Sequence, residues 1–179
     1  MPIRRFNGKC PIVAKTVFVD AMATVIGDVT LKDHVSVWPN VSIRGDLLSI
    51  VVAENSNIQD NSVIHTTEFF NQPKEGYDVI IGQSVTVGHS AIIHGCHIGN
   101  RVLIGMGAIV LDGAIIEDDV MLGAGSVVSP GKTLKSGFLY LGAPAKVVRE
   151  LTEQEKNYIV NNALSYRTIK DQHIQDANA

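Results

Sequence analysis

A repeat of six residues constrains this chain more than any other feature. From residue 23 the sequence reads ATVIGD, VTLKDH, VSVWPN and VSIRGD, with an aliphatic residue or Ala first in each hexad and an aliphatic residue third. The third positions are Val25, Leu31, Val37 and Ile43. After residue 78 the pattern resumes, placing Ile81, Val87, Ile93, Ile104, Val110, Ile116, Leu122 and Val128 at the same point, with one slip near residue 98. One inward aliphatic per hexad implies a short strand followed by a turn. Three such units close a triangular coil of about 18 residues, the hexapeptide parallel β-helix. A β-sandwich would instead show strands every 8 to 12 residues or so, joined by hairpin turns. Gly follows the aliphatic at Gly27, Gly82, Gly88, Gly99, Gly105 and Gly123, which suits corners that need positive φ or close backbone approach.

The composition fits a ladder of this kind. Val and Ile together make up roughly a quarter of the 179 residues, about four times the Leu content, and that bias favours strands. The charged fraction of 18% lies below the globular average of roughly 25%, so a single ordered domain is expected. A net charge of −3 leaves no basic footprint for nucleic acid, and no run approaches the 18 or so apolar residues of a membrane span. The N-terminal MPIRRFNGKCPIV has no apolar core after its arginines, which points to the cytoplasm and to reduced Cys10 and Cys96.

The expected organisation is an all-β domain over residues 1–149 with a loop insertion at about 66–78, a C-terminal α-helix over 150–171 and a frayed tail over 172–179. Thr152 and Glu155 have capping-box spacing, and Tyr158, Asn162, Tyr166 and Ile169 follow at helical intervals. By analogy with other hexapeptide coils, side-by-side trimers are expected.

Three of the six histidines are placed by the repeat. His65 and His94 each follow the inward aliphatic directly and are 29 residues apart; subtracting an interruption of roughly 11 leaves one coil. They should therefore sit on adjacent rungs about 4.8 Å apart, close enough to ligate one metal. His89 lies near the next corner, out of reach within one chain but able to approach that pair from a neighbour in a threefold trimer. Three protein ligands leave one open position, the arrangement of a catalytic zinc. His34, His97 and His173 are read as structural.

WPNVSIRGD at 38–46, NIQDNSVIH at 57–65, GHSAIIHG at 88–95 and GAPAKVVREL at 142–151 together resemble the gamma-class carbonic anhydrases over essentially the whole chain. The resemblance implies a left-handed coil and a homotrimer with a metal at each interface, zinc with iron or cobalt as alternatives. It implies His65 and His94 as ligands from one chain and His89 from the next. It further implies Gln59 as the partner of the metal's water, Arg44 and Asp60 as an interface ion pair with Asp46 as companion, and hydration of CO2 to bicarbonate as the reaction. The acidic residue that follows the RGD segment in this family is Leu47 here. A second acidic position is matched by Glu68, and Tyr166 is a candidate pocket residue with Tyr158 and Asn162. The same fold and C-terminal motif also occur in acyl-CoA transferases and thioesterases, which stand as the alternative, beside a catalytically weak trimeric metal-binding scaffold.

Overall fold

The computed structural model describes residues 2–69 and 71–177. The hexads wind into a parallel β-solenoid of about seven turns, closed by one C-terminal helix. Each turn passes through three faces in a fixed order. The third face stacks Phe18–Val19, Ser36–Val37, Asn57–Ile58, Thr86–Val87, Leu103–Ile104, Met121–Leu122 and Phe138–Leu141. The chain then crosses to the first face, where the start of Ser42–Val52 is followed by Val63–His65, Ile92–His94, Ile109–Val110 and Val127–Val128. The second face continues from the end of Ser42–Val52 through Val79–Ile81, His97–Ile98, Ile115–Ile116 and Thr133–Leu134.

Because each residue pairs with its counterpart one coil away, identical hexad positions form columns. Ile43, Ile64, Ile93, Val110 and Val128 make one inward ladder, and Leu31, Val52, Ile81, Ile98, Ile116 and Leu134 another. All are at most 2% exposed. The first hexad position also points inward and holds small residues such as Ala91, Cys96, Ala108 and Ala114 where the triangle narrows. Burial pushes the Cys96 thiol up to about 12, so it packs as an apolar group; Cys96 is buried and Cys10 exposed, and both are free thiols.

The glycines that follow the aliphatic serve two purposes. Gly27 has φ +80°, whereas Gly105 is needed for space, since a Cβ there would meet Ala124 N at 2.4 Å. Left-handed backbone falls at a different place in the hexad, at Asn40, Asn61, Ser90, Gly107 and Gly125, where Asn and Gly tolerate it best.

Departures from strict periodicity cluster at the corner between the first and second faces. There the chain lengthens between Gly45 and Ser49 and shortens at Gly95. The expected loop at 66–78 forms an antiparallel hairpin of Thr67–Phe69 with Gln72–Tyr77 at this same corner.

The helix runs Glu153–Ala177, longer than the sequence suggests. Thr152 and Glu155 cap it reciprocally: the Thr152 amide donates to Glu155 Oε2 at 2.9 Å and the Glu155 amide to Thr152 Oγ1 at 3.2 Å. Residues assigned to a frayed tail are helical through Ala177 because His173 packs edge-on to Trp38 at 5.1 Å and against Phe18 at 5.6 Å. The fully buried helix residues are Ile159, Ala163 and Lys170, while Tyr158 is more than half exposed. No helix among the described residues is long and apolar enough to cross a membrane.

Candidate metal centre

The residues singled out in the sequence collect at the two edges of the first face. At its trailing edge, His65 and His94 are register partners on adjacent rungs, with ring centroids 5.2 Å apart. Their inner nitrogens, His65 Nδ1 and His94 Nε2, approach to 3.2 Å. Each outer nitrogen meets a carboxylate: His65 Nε2 lies 3.0 Å from Asp46 Oδ1, and His94 Nδ1 lies 2.9 Å from Asp112 Oδ1. Arg44 holds the second oxygen of Asp46.

This geometry dictates what the pair can do. A neutral imidazole has one N–H and one lone pair, and both carboxylates draw the N–H outward. Two lone pairs then face each other at a distance that only a cation between them makes favourable. Two Zn–N bonds of 2.0–2.1 Å at a tetrahedral angle put the nitrogens about 3.3 Å apart, close to the spacing found. Carboxylates behind metal-ligating histidines are a common second layer of support. The donor set therefore fits a divalent metal.

The local electrostatics agree. Burial lowers the pKa of His65, and Arg44 and His94 add to this against the pull of Asp46, so the ring stays neutral and able to ligate at pH 7. Burial raises the Asp46 carboxyl, but hydrogen bonds from Arg44, His65 and its own amide outweigh it and hold it below the ordinary value. Among the described residues no three His, Cys, Asp or Glu side chains are placed to hold a metal ion within the chain.

The leading edge of the same face carries His89, Asp60 and Gln59. His89 Nδ1 lies 3.0 Å from Asp60 Oδ2, and the His89 side chain is 43% exposed. Gln59, His89, Tyr158, Asn162 and Tyr166 line a cleft of about 330 Å³ between solenoid and helix, together with Met106 and Met121. Gln59 is 5% exposed and donates to Asn57 Oδ1 at 3.1 Å; Asn57 donates to Thr86, which donates to Asn162 on the helix. Burial raises the Tyr166 pKa, and Asp60 and Tyr158 reinforce it, keeping the phenol a proton donor. Within one chain Arg44 pairs with Asp46, whereas Asp60 sits beside His89 at the opposite edge. Glu68 and Leu47 share a cavity of about 560 Å³ with Asp46, Lys9 and Asp28. Of the other histidines, His97 pairs with Asp78 at 2.7 Å, and the backbone of His34 occupies a left-handed corner.

Asp112 and Thr67 escaped the sequence reading. Thr67 Oγ1 donates to Asp112 Oδ1 at 2.7 Å. The available signal was the separation of 18 between His94 and Asp112, one full coil.

Comparison with known proteins identifies the family. Residues 95–130 match the family model described as bacterial transferase hexapeptide (six repeats). Protein YrdA of Escherichia coli strain K12 is 46% identical over 176 residues, covering 98% of this chain and 96% of that protein. The mitochondrial gamma carbonic anhydrase 2 of Arabidopsis thaliana is 40% identical over 94% of this chain and 60% of its own length. Among solved structures, a hexapeptide transferase family protein from Anaplasma phagocytophilum superposes with a TM-score of 0.88 at 40% identity, covering 95% of this chain and 96% of that one. The chain belongs to the gamma-carbonic-anhydrase-like hexapeptide-repeat family.

Proposed function

We propose that the protein is a homotrimeric, metal-dependent carbonic anhydrase-like enzyme that hydrates CO2 reversibly to bicarbonate, with zinc as the first candidate metal and iron or cobalt as alternatives. The observation that carries this reading is the His65–His94 pair, whose facing ring nitrogens lie 3.2 Å apart with a carboxylate behind each ring. A third ligand is needed, and His89 stands at the opposite edge of the same face. Between the two edges run the outward side chains of Val63 and Ile92, 39% and 38% exposed, an apolar strip suited to burial against a copy of the chain. Threefold rotation brings the trailing edge of one chain to the leading edge of the next, joining His65 and His94 to His89 and Arg44 to Asp60.

When bound, the metal would supply Lewis acidity, lowering the pKa of a water molecule to about 7. The chain's own residues perform the remaining tasks. Gln59, with its amide nitrogen engaged by Asn57, is left to orient the reacting water through its oxygen. Tyr166 and Asn162 border the same cleft, whose Met106 and Met121 wall suits an apolar gas. Protons leave through the polar cavity that holds Asp46 and Glu68, where Leu47 provides no titratable group and makes export slower.

The test combines metal analysis of anaerobically purified protein with stopped-flow CO2 hydration by zinc-, iron- and cobalt-loaded forms, measuring short acyl-CoA hydrolysis alongside. The expected result is about one divalent ion per chain and hydration that depends on it. A metal-free trimer that resists reconstitution, or turnover of acyl-CoA alone, sinks the proposal.

A further inference from the structure

The contacts behind His94 form a built unit. Asp112 reaches back one coil and accepts two bonds at a single oxygen, from His94 Nδ1 at 2.9 Å and from Thr67 Oγ1 at 2.7 Å. It can do so only because residue 95 lacks a side chain: a Cβ on Gly95 would lie 2.3 Å from Asp112 Oδ1 and 2.8 Å from Tyr77 Cβ. Gly95 has φ +51° and is tied to both neighbouring coils, its amide donating to the His65 carbonyl at 2.9 Å and its carbonyl accepting from Gly113 at 2.7 Å. The shortened corner, the glycine and the start of the inserted hairpin thus converge on one carboxylate. Asp118 provides a contrast, since it accepts the Asn100 backbone amide at 2.8 Å and so secures the ladder between coils.

We propose that Asp112 is a positioning residue for the metal ligand His94. It keeps the ring proton on Nδ1 and turns the Nε2 lone pair toward His65, while Thr67 fixes the carboxylate. On this view the hairpin strands Thr67–Phe69 and Gln72–Tyr77 support the metal centre, because they deliver Thr67 to Asp112 and lay Tyr77 over Gly95 and Gly113. The inference rests on the reading of His65 and His94 as metal ligands, and its test has an arm that needs no metal.

In metal-free protein labelled with ¹⁵N-histidine, long-range NMR should find the His94 proton on Nδ1. The Thr67 hydroxyl also lies 3.2 Å from His94 Nδ1, so in Asp112→Ala combined with Thr67→Val the proton should move to Nε2, where it can donate to His65. In the second arm, competition between protein and chelator for Co²⁺ should show Asp112→Ala binding roughly 10- to 100-fold more weakly. Thr67→Val should shift affinity the same way by less, and Asp112→Asn, whose amide oxygen still accepts from Nδ1, should restore the wild-type tautomer and most of the affinity. An unchanged tautomer in the folded double variant, or unchanged Co²⁺ affinity in folded Asp112→Ala, overturns the inference. If Asp112→Ala does not fold, an unchanged Thr67→Val overturns it. Wild-type protein that binds no Co²⁺ refutes the metal reading, and the tautomer arm then decides the role of Asp112 by itself.

Discussion

A site divided between chains predicts the outcome of mixing two inactive variants. His65→Ala removes a ligand from the trailing edge and leaves His89 intact; His89→Ala does the reverse at the leading edge. Each variant alone should assemble but hold no tightly bound metal, since each site then lacks a ligand. Equal amounts of the two, unfolded and reassembled together, give trimers of random composition. A site is whole only where a chain with an intact pair abuts a chain with an intact His89, which happens for about a quarter of the sites in a closed threefold ring. Every trimer containing both variants has one whole site, so bound metal and CO2 hydration should each recover to roughly 25% of wild type. Tagging one variant and measuring subunit exchange by native mass spectrometry establishes that mixing has occurred. Verified mixed trimers without recovery would refute the shared site, as would full metal content in either variant alone.

Three further predictions concern the scaffold. Gly107 has φ +67° and open space around its absent side chain, so Gly107→Ala should cost about 1–2 kcal/mol in urea unfolding, whereas Gly107→Asn, matching Asn40 and Asn61, should cost less. Gly105→Ala should be the more damaging change, because its Cβ would press on the Ala124 backbone at 2.4 Å. The Arg149 guanidinium, the capping amide and the Thr152 hydroxyl hold Glu155 at about 2, below its ordinary 4.5. Its folded pKa is depressed, so its contribution is present above about 4.5 and fades as pH falls toward 2; Glu155→Gln should therefore flatten the acid limb of thermal stability over that window.

Most of the fold was legible because a coil of regular pitch converts sequence interval into position. A spacing of six gave the ladders, and subtracting the interruption between His65 and His94 placed them as register partners. The same arithmetic could have found Asp112, one coil after His94, but a lone Asp before Gly looks like an ordinary turn residue. The hairpin of Thr67–Phe69 with Gln72–Tyr77 was read as a loop because its residues follow no hexad and its sheet has only two strands. On the helix, Tyr158 and Ile169 look apolar by type, whereas docking buries Ile159 and Ala163 and turns Asn162 to Thr86 and Tyr166 to Trp38.

The sequence by itself determined the coil, its inward ladders, the capped helix and the adjacent rungs on which His65 and His94 lie. All of these follow from periodicity and from chemistry local to a few residues. Only the tertiary structure decided which nitrogen of each ring faces its partner and which carboxylate stands behind it. Those choices depend on side chains one coil away reaching through a corner whose depth is set by Gly95 and whose roof is Tyr77. A repeat can place a histidine in a column; the direction of its lone pair is fixed by hydrogen bonds from neighbouring turns.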